Sequence, residues 1–191
     1  MNGYCFEQYL IDNCSPTLAS LKTANLFNYR YSSTDELNKA VERWNKELSG
    51  KGITVTVLRK RENTALIYVY RAKRLAKDFS RPGVERFMKC HGYENTDIDL
   101  CLEVLGGKLA KSELFPHEIG LFLGYPLGDV IGFIDNEGKN SRCTGCWKVY
   151  APLRDSTSAE LSTKRCGQTA GVSCSLRLHN IKNIRMKGFL L

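Results

Sequence analysis

Between Phe115 and Ile134 the chain reads FPHEIGLFLGYPLGDVIGFI, its longest apolar stretch. About twenty residues is the length at which an apolar helix can span a bilayer. Glycines at 120, 124, 128 and 132 have the four-residue spacing of a helix-packing face. Pro126 excludes one continuous helix, because it has no N–H to donate and its ring would collide with the Phe122 carbonyl. His117, Glu118 and Asp129 interrupt the apolar run further. The stretch therefore divides into two helices. Pro116 opens the first and Pro126 the second, where the missing N–H has no intrahelical partner to lose. Gly124 falls where a left-handed helix-ending glycine belongs. Ile119, Phe122 and Leu123 form one apolar stripe; Leu127, Val130, Ile131 and Ile134 form another. With no GxxxxGK motif and no strand–GxGxxG–helix order, the glycines read as packing and capping residues and not as a phosphate loop.

Elsewhere the pattern alternates between periods. A helix is predicted over about 4–12. Ser15 then reads as the N-cap of a short helix over PTLASLK, with Pro16 in its first turn. ANLFNYRY reads as a strand. Ser33 and Glu36 make a capping box for a helix carrying Leu37, Ala40, Val41, Trp44 and Leu48 inward, and Gly50 stops it. ITVTVLRK and TALIYVYR are β-branched and aromatic, joined by REN, and predict an antiparallel hairpin. The second arm is apolar on both faces, as an interior strand is. Helices are predicted over about 72–79, 82–91 from Pro82, and 97–111 capped by Thr96. CWKVYA reads as a strand, STSAELSTKRCG as a helix and VSCSLRLH as a last strand. The expected fold class is α+β: a mixed sheet of about four to five strands, including the hairpin, packed with helices. Residues 1–155 are expected to form a single α+β domain, and 156–191 a basic helix/strand extension packed on it.

The amino terminus lacks the basic start of a secretory signal and carries Glu7 and Asp12. A cytoplasmic chain with no membrane contact is expected, so its eight cysteines are expected as free thiols. Cys90 and Cys101 fall in helical patterns as small buried hydrophobes. Cys14 precedes the proposed cap at Ser15, and a helix N-terminus favours thiolate. With His117 as base and Glu118 as orienting carboxylate it would make a nucleophilic constellation, provided the fold brings the three together. Lys22 could add a positive charge. Cys143 and Cys146 have the spacing of a metal or redox knuckle, yet Cys166, Cys174 and His179 fit no standard finger, so no metal and no cofactor are expected.

Charge supplies the remaining signal. Residues 1–138 hold 18 Lys and Arg against 18 Asp and Glu, whereas residues 139–191 hold ten against two, which accounts for the whole net charge of +8. Arg142, Lys148, Arg154, Lys164, Arg165, Arg177, Lys182, Arg185 and Lys187 crowd this part. Arg59, Lys60 and Arg61 sit at the hairpin turn, with Arg71, Lys73, Arg74 and Lys77 following. Clustered cations neutralise phosphates and release counterions. Tyr68, Tyr70 and Tyr150 would stack bases if exposed. A solvated basic face is the competing explanation.

CSPTLASLK at 14–22, FPHEIGLFLGYPLGDVIGFI at 115–134 and CWKVY at 146–150 together resemble the signatures of a bacterial family of unknown function, found mainly in anaerobic Gram-positive bacteria. The resemblance covers roughly residues 13–150. It implies a soluble intracellular bacterial protein and supplies no catalytic residues. Ser20 departs from it, standing where the family usually has glycine. The expected function is a non-enzymatic binding protein whose basic carboxy-terminal region contacts nucleic acid or a nucleoprotein, of regulatory or mobile-element-inhibitor type. The alternative is a thiol-dependent enzyme or redox protein using Cys14, His117 and Glu118.

Overall fold

The computed structural model describes residues 5–112, 114–144 and 148–150. Helix α1 (Phe6–Leu18) leads into β1 (Ala24–Arg30), α2 (Thr34–Ser49), and the hairpin β2 (Ile53–Lys60) and β3 (Thr64–Arg71). Helices α3 (Ala72–Phe79), α4 (Val84–Cys90), α5 (Ile98–Lys111), α6 (Ile119–Phe122) and α7 (Leu127–Asp135) follow. A ribbon of β4 (Cys143–Thr144) and β5 (Lys148–Val149) comes last. The protein is α+β. The described main sheet has three strands in the order β1-β3-β2, all antiparallel, and β4 with β5 makes a separate pair. Among the described residues the expected single mixed sheet of four to five strands is replaced by this three-stranded antiparallel sheet and the separate short ribbon. The sequence-predicted helix at STSAELSTKRCG and strand at VSCSLRLH lie outside the described residues, as does the whole 156–191 extension.

β3 is the interior strand, and its alternation sorts the core into two. Ala65, Ile67 and Val69 face α1 and α2, where Phe6, Leu10, Cys14, Phe27, Tyr29, Leu37 and Leu48 are buried. Leu66, Tyr68 and Tyr70 face the other way, onto Leu75, Phe79, Met88, Leu105, Leu109, Phe122 and Phe133 from α3 to α7. One irregularity disturbs β2. The register shifts between Val57 and Arg59, and Leu58 turns to the α5 side. Gly106 of α5 fits there because a Cβ would lie 3.1 Å from the Leu58 carbonyl oxygen. The exposed edge of β2 is closed by α2: Asn45 donates to Val55 O and accepts from Val55 N–H, both at 2.8 Å. Edge strands left open invite pairing with other chains.

Several local expectations need correction. Ser15 is not a helix cap and Pro16 does not begin a helix; both lie inside α1. Phe6, Leu10, Cys14 and Thr17 recur on one buried stripe straight through the proline, and that packing overrides the local preference. Ser15 Oγ donates back to Ile11 O, and Asn13 Nδ2 to Tyr9 O at 2.7 Å. Just past the α1 C-cap Ala19 stands Ser20, whose φ is 58°. Ser20 N–H bonds Thr17 O at 3.2 Å and Leu21 N–H bonds Pro16 O at 2.7 Å, a helix end that suits glycine. The α5 cap is Asp97 and not Thr96; its carboxylate accepts from the N–H groups of Asp99 and Leu100, each at 3.1 Å. Cys90 is exposed, unlike buried Cys101. Ile131 is exposed as well, and Phe133 takes the inward place on α7.

The apolar stretch divides at Pro126, whereas Pro116 does not open α6, whose N-cap is Glu118. Gly124, at φ 80°, ends α6 with N–H bonds from Gly124 to Leu121 O (2.9 Å) and from Tyr125 to Gly120 O (3.0 Å). Pro126 is the N-cap of α7. Gly132 leaves room for Tyr150, whose Cβ would lie 2.3 Å from an added Cβ. Among the described residues no helix is long and apolar enough to cross a membrane.

Candidate functional site

The thiol constellation is not assembled. Cys14 is fully buried in the middle of α1, on the α1–α2 side of the sheet. Burial pushes its thiol far up from the ordinary value, against a weaker downward pull from Lys22. His117 is exposed, with its ring 5.4 Å from that of Phe133, and Glu118 is buried beside Tyr93; both rings belong to the opposite core. The sheet therefore stands between Cys14 and the other two. The separation follows from the topology, with α1 on one face of the sheet and α3 to α7 on the other; nor is the thiol activated, since in a helix interior no free N–H groups point at it.

Glu118 has other partners. Its Oε1 pairs with Lys108 Nζ at 2.5 Å and accepts from Tyr93 Oη at 3.3 Å. Lys108 also donates to His91 O at 2.5 Å and lies 4.3 Å from the Tyr93 ring centroid. Burial, then the neighbouring carboxylate, pushes the Tyr93 phenol up. Lys108 was missed by the sequence reading, though it carried a signal. It falls three residues after Leu105 and seven after Cys101, on the stripe that α5 buries. A charged residue on such a stripe needs a buried partner.

Two segments that carry the family resemblance meet in space. Lys22 donates to Tyr125 Oη at 3.3 Å, with its ammonium 5.1 Å from the ring centroid. Thr23 Oγ1 donates to Asp78 Oδ2 at 2.6 Å, and a Cβ on Gly124 would lie 2.5 Å from the same Oγ1. Arg71 braces the joint: its guanidinium donates to Thr17 O (2.8 Å), Leu18 O (2.8 Å) and Lys51 O (3.0 Å), capping the end of α1. Arg74 adds a bond to Ser20 O at 2.5 Å. In α7, buried Asp129 accepts from Tyr150 N–H at 2.8 Å.

The candidate cations divide by what holds them. Arg59 is half-buried, donating to Leu109 O at 3.2 Å with its guanidinium 5.8 Å from the Phe115 ring centroid. Lys148 is half-buried and donates to Gly138 O at 2.6 Å. Both secure the fold. Lys60 and Arg61 are exposed at the hairpin turn, Lys60 reaching Asn38 Oδ1 at 3.3 Å. Arg142 is exposed too. Arg154, Lys164, Arg165, Arg177, Lys182, Arg185 and Lys187 lie outside the described residues, as do Cys146, Cys166, Cys174, His179 and the side chain of Cys143. Tyr68 and Tyr70 do not offer themselves to bases. Both are buried, with centroids 4.9 Å apart and rings nearly parallel, and Tyr68 Oη donates to Phe122 O at 2.6 Å. Among the described residues, no three His, Cys, Asp or Glu side chains gather as metal ligands would.

Among the described residues, the outer face of α3 carries charge of one sign. Lys73, Arg74 and Lys77 are exposed there, while Leu75 and Phe79 anchor the inner face. The helix's one acid, Asp78, is turned to Thr23 and to Arg81, 2.8 Å away.

No curated protein and no solved structure matches the chain. A family profile does, over residues 10–183, which carries the match beyond residue 155 and through most of the basic stretch. With the match covering nearly all of its length, the chain belongs to the family described as protein of unknown function DUF3793.

Proposed function

We propose that this is a non-enzymatic binding protein that contacts nucleic acid, free or within a nucleoprotein, through its basic carboxy-terminal part. One observation carries the reading: the entire net charge of +8 falls within residues 139–191, which hold two acids among 53 residues. A surplus so concentrated raises the local potential and steers polyanions, where scattered charges of both signs would only solvate. The role that fits is regulatory, or inhibitory toward nucleic-acid machinery. The thiol-enzyme alternative is not carried forward, because Cys14 is sealed in a helix interior away from His117 and Glu118.

The test is an electrophoretic mobility shift at low salt with DNA and RNA probes. The expected result is a complex that weakens steeply with added salt and is lost when Lys164, Arg165 and Arg177 are each replaced by Glu. Absence of any complex in dilute buffer overturns the proposal.

A further inference from the structure

We propose that the outward face of α3 is a phosphate-contacting surface for double-stranded nucleic acid, gripping the backbone without reading bases. This inference rests on the nucleic-acid reading above and adds a described, rigid element to it.

Four observations point to it. First, the face is of one sign: Lys73, Arg74 and Lys77 are exposed with no acid among them. Second, other helices mix their charges. α2 sets Asp35, Glu36, Glu42 and Glu47 among Lys39, Arg43 and Lys46, and α4 pairs Glu85 with Lys89 at 2.8 Å. Mixed faces solvate; a face of one sign attracts counter-charge. Third, the face is held still. Leu75 and Phe79 are buried, Arg71 is tied to three carbonyls and Asp78 to Thr23. Lys73 and Lys77, one helical turn apart, stand about 6 Å from each other at their bases, and Arg74 keeps N–H groups beyond the one given to Ser20. Fourth, among the described residues the rings near the face are engaged: Phe79 is in the core, and Tyr125 is half-buried beneath the Lys22 ammonium. Single strands are gripped by stacking platforms joined to basic grooves, whereas duplexes offer phosphates and no open base faces.

The experiment uses the full chain and fluorescence anisotropy with labelled 20-base-pair DNA and RNA duplexes of arbitrary sequence and the matching single strands. Both duplex types are expected to bind more tightly than either single strand, with little dependence on sequence. The variant Lys73→Gln/Lys77→Gln removes two phosphate contacts. Each contact is worth about 8-fold in affinity at 0.1 M salt, so DNA-duplex binding should weaken roughly 60-fold, and the slope of log affinity against log salt should fall by about 1.8. Lys77→Gln alone should give half the change in slope. Lys39→Gln/Lys46→Gln on α2 should leave binding unaltered. If Lys73→Gln/Lys77→Gln melts and binds like the unaltered protein, the α3 inference is overturned while the nucleic-acid reading stands. Tighter binding of single strands also overturns it. If the unaltered protein binds no probe, both fall together.

Discussion

The two faces of the sheet are built on different principles. Against α1 and α2 the core is rich in rings and among the described residues encloses no charged side chain, its buried polar groups being hydroxyls of Thr17, Tyr29 and Tyr31: Phe6 meets Phe27 and Tyr29 edge-on at centroid distances of 5.8 and 4.8 Å. Against α3 to α7 the core encloses charged as well as polar groups: Tyr68 on a carbonyl, Glu118 on Lys108 and Tyr93, Asp129 on an N–H, and beside them the buried Tyr150 hydroxyl, which has no hydrogen-bond partner among the described residues. An apolar core tolerates many arrangements of similar volume. A polar group inside accepts only the arrangement that satisfies it. The comparison teaches that the first face supplies bulk stability. The second fixes how α5, α6 and α7 sit, and with them the Lys22–Tyr125 joint.

The largest expected effect tests the sealed character of the first face. At pH 8.5 iodoacetamide should modify exposed Cys5 at least about 1,000-fold faster than Cys14, since Cys14 is reached only on unfolding. Comparable rates, read by mass spectrometry, would break the picture of a closed apolar core. The same burial sets a pH dependence. Cys14 lies above its ordinary value of 9.0, and burial pushes Cys101 up to about 11. Both thiols ionise more readily in the unfolded chain. Their contribution to stability is therefore full below about pH 9 and is lost as pH rises toward the folded values. The urea midpoint should drop between pH 8 and pH 10.5, and drop less in Cys14→Ala than in the unaltered chain.

The second face is tested by Glu118→Leu, which leaves Lys108 without its carboxylate. Breaking a buried pair costs 3–5 kcal/mol; about 3 is expected here, because the Lys108 side chain keeps 31% of its surface in water. Adding Lys108→Met should recover most of the loss in denaturant titrations. No recovery would mean that the pair holds more than its own charges. At the joint, Gly124→Ala should cost about 2 kcal/mol. The left-handed backbone alone penalises a side chain by roughly 1–2, and the Cβ crowds Thr23. The smallest effect is a gain: Ser20→Gly, at φ 58°, should raise stability by about 1 kcal/mol. A loss instead would show that the serine hydroxyl has a use at the end of α1.

What could be read from the sequence was whatever a few neighbouring residues decide. The hairpin, the Ser33–Glu36 cap and the break at Pro126 follow from local chemistry, and each formed. Glu36 N–H bonds Ser33 Oγ at 3.2 Å, while the Glu36 carboxylate reaches back to Ser32 N–H at 3.0 Å. Pro16 departs from its local preference because the buried stripe of α1 forms only against Phe27 and Tyr29, residues distant in sequence. The expected activation of Cys14 fails with that cap. Glu118 was singled out, but its partner Lys108 sits on another helix, and only the fold shows that α5 and α6 close over the pair. The role of Arg71 was invisible for the same reason: three carbonyls from two separate turns converge on it only when α1 and β2 are side by side.

The bulge at Leu58 has a mechanical consequence. Ordinary alternation already sets Ile53 and Val55 toward one core and Leu58 toward the other. The extra residue keeps Arg59 on the α5 side as well, so the end of the strand is tied there while its body walls the other compartment. Neither half can loosen while its neighbour stays whole, so heating should melt the two layers in one shared step.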